Sequence, residues 1–190
     1  MLLQQLVSYA GTLEGDLPSG YQVKPVRYVI VLDKDGKSSG IADTREGPKD
    51  RGKSVPVPHA KRANAIRPQL FADNAAYTFG IVREQDRPER VKELHTAYRE
   101  LVQECADTTG DVGARAVAVF MATLPESAPP LEADFDPSAW LTFEVDGVRV
   151  TDTPSVRRFW SAKMGGDSET EGGAAEPLYH CIVCNQLKPA

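Results

Sequence analysis

The chain is poor in the residues that build metal and redox centres. Its 190 residues include only three cysteines and three histidines. Cys105, Cys181 and Cys184 are too few for the disulfide framework of a secreted scaffold. His180-Cys181-Ile182-Val183-Cys184 contains one C-x-x-C pair. A structural zinc needs about four ligands, and no second C-x-x-C or H-x₃-H follows. Such a half-site has two explanations: a chain cut before the other half, or an incidental pair. The expectation is that no metal or other cofactor is held. Catalytic signatures are missing as well. There is no G-x-S-x-G, no P-loop and no G-x-G-x-x-G opening a helix, which argues against an enzyme. Long apolar runs are absent, so nothing approaches the ~18–20 residues of a membrane span. The opening MLLQQLVSYAGTLEGD has no basic n-region and reads as an amphipathic helix, so a cytoplasmic location is expected. No internal repeat is visible.

What the chain does have is an uneven charge distribution. Its formal net charge is −5, with 41% apolar and 26% charged residues, a composition typical of soluble globular domains. Between residues 45 and 67, Arg45, Lys49, Arg51, Lys53, Lys61, Arg62 and Arg67 face only Glu46 and Asp50. That segment is therefore +5 and the remainder −10. Positive charge gathered on one segment of an acidic chain marks a polyanion site, or else a solvated surface loop.

Periodicity places this segment within an α+β fold, a small antiparallel sheet of hairpins packed against several helices. Residues 1–14 carry an apolar helical stripe. PVRYVIVLD, residues 25–33, reads as one buried central strand. Asp33-Lys34-Asp35-Gly36 is turn chemistry, which also accounts for the nearby carboxylates of Asp33, Asp35 and Asp43. Ser39–Asp43 returns as a strand. The basic segment then leaves as a long loop, with Pro48, Pro56, Pro58 and Pro68 opposing regular structure. Asp73 or Asn74 caps a short helix closed by Gly80. Pro88 opens a helix over 87–106, with Val91, Leu94, Tyr98, Leu101, Val102 and Cys105 on its apolar face. A second helix covers 112–124. Strands at 140–145 and 148–150 flank Asp146-Gly147, and Pro154 starts another helix. GGDSETEGGAAE reads as a flexible linker, and Leu178–Cys184 as a last strand. These readings divide the chain into a domain over 1–163, a linker over 164–177, and the start of a further region over 178–190.

Lysines and arginines of the basic segment suit phosphates, and Asn64, Gln69 and Asn74 have the donors and acceptors to meet base edges. Phe71 and Tyr77 suit stacking on bases, but their spacing beside Leu70 and Phe79 assigns them to the core. Asn74 equally suits a helix cap.

The order of these features resembles a known family. MLLQQLV is followed by KPVRYVIVLD, then by a D-x-x-G-x-x-x-G-I hairpin and a Lys/Arg-rich loop. IRPQLFADNAAYTFG, HTAYREL at His95, LTFEVDG at Phe143 and VRRFW at Trp160 complete the set. It is similar to the N-terminal part of the large subunit of the type I-C CRISPR surveillance complex, Cascade. Large subunits of that family are much longer, so the chain is expected to be an N-terminal fragment.

The resemblance implies a non-catalytic domain that recognises the protospacer-adjacent motif (PAM) on target double-stranded DNA. It further implies help in starting strand separation and recruitment of a separate helicase-nuclease. Guide RNA and the other Cascade subunits would be its partners, with guide pairing reading the rest of the target. Lys49, Arg51, Lys53, Lys61, Arg62 and Arg67 would then contact phosphates, and Asn64 and Asn74 base edges or the minor groove. The alternative is a scaffold domain that binds guide RNA or a neighbouring subunit without reading the PAM.

Overall fold

A computed structural model describes residues 17–62, 65–124, 131–170, 178–180 and 187–189, with side chains described up to residue 165. The amphipathic stretch 1–14, Asn64 and the C-x-x-C cysteines lie outside the described residues.

The architecture is α+β. The chain forms β1 (Tyr21–Val26), β2 (Tyr28–Leu32), β3 (Ser38–Asp43), β4 (Lys53–Pro58) and β5 (Ala72–Asp73). Helices α1 (Ala75–Thr78), α2 (Pro88–Thr109) and α3 (Val112–Ala122) follow. Then come β6 (Leu141–Val145), β7 (Val148–Arg149), a 3₁₀ turn, α4 (Pro154–Thr170), β8 (Leu178–His180) and β9 (Leu187–Pro189). Helix α4 continues to Thr170, into the Gly-rich stretch.

Strand β2 is central, as its β-branched composition requires. It pairs antiparallel with β3 on one side and parallel with β6 on the other. The free edge of β6 takes β5 at its start and β7 at its end. The two hairpins expected from sequence are thus joined through a parallel pair. Tyr28, Ile30 and Leu32 of β2 and Leu141, Phe143 and Val145 of β6 turn one face to the core. Tyr98, Leu101, Val102 and Cys105 of α2 and Val117 and Phe120 of α3 belong to the same cluster. Phe120 meets Phe143 edge-on, with ring centroids 6.0 Å apart. Phe71 and Tyr77 are buried, as their spacing predicted.

Caps delimit the helices. Asn74 Oδ1 accepts from the Ala76 and Tyr77 N–H groups at 3.1 and 3.4 Å. Pro88 occupies the first turn of α2, and Gly110 ends it in the left-handed conformation. Asp111 Oδ1 accepts from the Ala114 N–H at 3.0 Å and starts α3.

The run read as one strand over 25–33 is two. The chain swings at Arg27, where the N–H groups of Arg27 and Tyr28 both donate to the Trp140 carbonyl, at 3.0 and 3.1 Å. Residues before the swing belong to a separate ribbon, β1 paired antiparallel with β4 from Tyr21↔Pro58 to Val26↔Lys53. The ribbon has its own small core of Val26, Val55, Val57 and Ala72, with Trp140 against it.

Candidate nucleic-acid interface

The basic segment is not the irregular excursion its prolines suggested, because residues 53–58 form β4. Proline lacks an N–H, so it is tolerated on edge strands where no ladder donor is needed. Here Pro25, Pro56 and Pro58 fall in alternate pairs, opposite Ser54, Val23 and Tyr21. The remaining pairs keep their donors. In the last of them, Thr44 Oγ1 accepts from the Lys53 N–H at 3.0 Å and donates to the Val26 carbonyl at 2.6 Å.

The turn before β4 is tied down by Asp50. Its carboxylate accepts from the Glu46 N–H at 3.0 Å and the Gly52 N–H at 3.1 Å. These backbone donors hold the Asp50 carboxyl below its usual range. One of the two acids opposing the basic charge is thus engaged in shaping the turn. Gly52 has φ +101°, and a Cβ there would lie 2.4 Å from the Val26 carbonyl oxygen. Only glycine lets the turn lie this close on the β1 backbone.

Lys49, Arg51 and Lys53 are exposed along this turn and the start of β4, and Lys61 is exposed beyond the strand. Half-buried Lys24 lies beside them, outside the strand that the sequence places at 25–33. Val26 opposes Lys53 and Lys24 opposes Val55, so both lysines lie on one ribbon face as diagonal neighbours. Lys24 Nζ sits 5.9 Å from the Trp140 ring centroid. The period-two spacing of Lys24, Val26 and Tyr28 was the signal available in the sequence.

Other predicted contact residues are engaged within the fold. Arg62 is held within the fold: its guanidinium pairs with the buried Asp73, lies 4.2 Å from the Tyr77 centroid, and its Nε donates to the Arg67 carbonyl at 2.7 Å. Asp73 also accepts from the Gln69 and Asn74 N–H groups at 3.0 and 2.9 Å. Burial raises the Asp73 carboxyl above its usual range, and Arg62 is the chief opposing influence. The Asn74 side-chain oxygen is committed to capping α1. Arg67 is half-buried and lines a cavity of about 270 Å³ with Ile66, Leu101 and Trp160.

Arg45 is likewise engaged at the base of the segment. It pairs with Asp43 at 2.7 Å and Asp134 at 2.9 Å. Buried Arg27 reaches the same carboxylates, both at 3.1 Å. Burial acts to raise the Asp43 carboxyl, but hydrogen bonds from Arg45 and Arg27 outweigh it and hold the group below the usual range. Root charges are therefore matched, while Lys49, Arg51 and Lys53 face solvent. His59, beside Lys24 and Arg62, is pushed down by burial and by these cations, and adds no charge at neutral pH.

Among the described residues no cluster of histidine, cysteine, aspartate and glutamate suits a metal ion, and no helix is long and apolar enough to cross a membrane.

The fold and site define a mixed-sheet α+β domain with a basic ribbon, and comparison with known families places it further. The family model for CRISPR-associated protein Cas_Csd1 matches residues 6–190. The chain belongs to that CRISPR-associated family. No curated protein matches it.

Proposed function

We propose that the chain is the N-terminal part of the large subunit of a type I-C Cascade. It acts as a non-catalytic DNA-binding domain in antiviral defence. It recognises the PAM on the target duplex, helps initiate unwinding and takes part in recruiting the helicase-nuclease. Exposure of Lys49, Arg51 and Lys53 on a tied-down ribbon, with Lys61 exposed just beyond it, in an otherwise acidic chain is the observation that carries this reading. Family membership supports it by placing the chain in a CRISPR system.

Backbone phosphates supply most of the affinity in such contacts, and each neutralised phosphate contributes about −0.9 to the slope of log K against log salt. Contacts by Lys49, Arg51, Lys53 and Lys61 would give a slope of about −3.6 from this region. The test is target-duplex binding by assembled complexes carrying Lys49→Glu, Arg51→Glu and Lys53→Glu together, across salt concentrations. Weaker binding and a slope shallower by about 2.7 are expected. Binding at wild-type strength would remove the ribbon as the DNA contact.

A second reading has a specific observation in its favour. Asn74 and Arg62 are engaged within the fold, which leaves mainly side chains suited to backbone contact. A guide-RNA or subunit-binding scaffold needs no base readout. The same variants distinguish the two. Loss of discrimination between PAM sequences supports PAM reading, and impaired assembly with intact discrimination supports the scaffold.

A further inference from the structure

The outer edge of β3 is a second candidate surface. Among the described strands β3 pairs with β2 alone, so its other side presents backbone groups to solvent. A bulge sits where Val31 opposes Gly40 and Leu32 opposes Ser38, leaving Ser39 as the extra residue. The usable edge is therefore residues 40–43. Gly40 faces open space, with nothing within 4 Å of a Cβ built there. Beside this edge lies a slot of about 280 Å³, walled by Tyr28, Ile41, Leu131 and Phe135, with Asp43 and Glu132 among its lining. The Tyr28 and Phe135 rings stack 4.8 Å apart and make one wall flat.

Charge selects the occupant. Arg27 and Arg45 are matched by Asp43 and Asp134. Glu132 adds a carboxylate with no cation within ion-pair distance among the described residues, so the slot carries surplus negative charge. A phosphate backbone is disfavoured there. A lysine or arginine fits, because its methylene stem lies along apolar walls while its charged head stays at the polar rim. Strand addition gives affinity through main-chain hydrogen bonds and specificity through side-chain pockets.

We propose that the β3 edge and this slot bind an extended basic segment of a partner protein, paired with residues 40–43 and placing a lysine or arginine side chain between Phe135 and Glu132. The surface is independent of the nucleic-acid reading of the ribbon.

The test titrates the isotope-labelled chain with the peptide Lys-Val-Arg-Val-Lys-Val, the acidic peptide Glu-Val-Asp-Val-Glu-Val and a 12-base-pair duplex, following backbone amide shifts. The basic peptide should move the amides of residues 40–43 and 131–135, and the acidic peptide should not. Leu131→Ser, which removes apolar wall without adding charge, and Glu132→Lys, both at exposed positions, should keep a folded spectrum and each weaken the basic peptide about fivefold. Equal binding of both peptides, equal binding by the variants, or shifts centred elsewhere would overturn the proposal. So would movement of the same amides by the duplex. A dimer in sedimentation that Leu131→Ser dissolves would assign the edge to a second copy of this chain and overturn it as well.

Discussion

Replacing Arg62 by alanine separates structural charge from binding charge within the basic segment. Asp73 is wholly buried, and its acceptors are met by Arg62 and by the Gln69 and Asn74 N–H groups. Removing the guanidinium leaves two amide donors facing an uncompensated carboxylate. Breaking a buried ion pair from one side costs about 3–5 kcal/mol. A quarter of the Arg62 side chain remains exposed, so water partly replaces the lost cation and the lower end applies, about 3 kcal/mol. Contact with the Tyr77 ring is lost in the same change and is not added separately. For a chain of this size the shift is about 6–12 °C in Tm.

Urea unfolding followed by the fluorescence of Trp140 and Trp160 measures the loss. The pH dependence gives a second readout. Burial already raises the Asp73 carboxyl, and without Arg62 it rises further. An acid whose folded pKa exceeds its unfolded value loses stability as pH climbs from the unfolded value through the folded one. Relative to wild type, Arg62→Ala should therefore be least harmful near pH 4 and worst at neutral pH. Asp73→Asn in the same chain should recover part of the loss. The reasoning is refuted if the unfolding midpoint of Arg62→Ala equals that of wild type while duplex binding falls. A charge reversal joining Lys61 with Arg62 would confound the two effects, whereas changes at residues 49, 51 and 53 would not.

Gly52→Ala should destabilise the chain by about 2 kcal/mol or more, since a Cβ would collide with the Val26 carbonyl and the backbone is left-handed there; an unchanged midpoint in urea would contradict the close approach. Stability should also fall as pH drops below about 6.5, the unfolded histidine value. Burial lowers the pKa of both His59 and His95, and Lys24 adds to the effect at His59. The unfolded chain thus takes up protons first, and the loss levels off below the folded pKa values. At His95 burial outweighs the 2.9 Å contact between Nδ1 and the Tyr77 carbonyl, which favours the charged ring, so His95→Gln should flatten the Tm profile between pH 7 and 5.

Local signals in the sequence were reliable where one element decides the outcome. β-Branched residues placed β2, Pro88 bounded α2 at its start, and the apolar stripe named the face that α2 buries. Asp146-Gly147 marked the turn between β6 and β7, with both residues at positive φ. What stayed hidden depends on pairings far apart in the chain. The parallel register of Tyr28 with Leu141 spans more than a hundred residues, and no short motif encodes it. Strand β4 is concealed in the sequence because proline content alone does not show which rungs of the ribbon need a donor. Arg62 looked like a phosphate ligand for a similar reason. Its partner, Asp73, stood eleven residues away as a candidate helix cap, and charge counting cannot tell a cation with a buried carboxylate from one facing solvent.

That distinction changes the physical picture of the basic segment. A loose loop must be ordered on binding, at about 1–2 kcal/mol per residue fixed. Here Thr44 bridges the last ribbon rung, Asp50 holds the turn, Gly52 lets it lie on β1, and Arg45 is tied to Asp43 and Asp134. Much of the ordering cost is therefore met in folding, and Lys49, Arg51 and Lys53 are presented in a fixed order along a fixed backbone. Charge and preorganisation then make separable contributions. Replacing a lysine on the turn should lower affinity and flatten the salt dependence. Weakening Asp50 by Asp50→Asn should lower affinity while removing a negative charge that simple electrostatics would count as helpful. Stronger duplex binding by Asp50→Asn would mean that net charge alone governs the ribbon, and that the turn's hydrogen bonds have no part in presenting it.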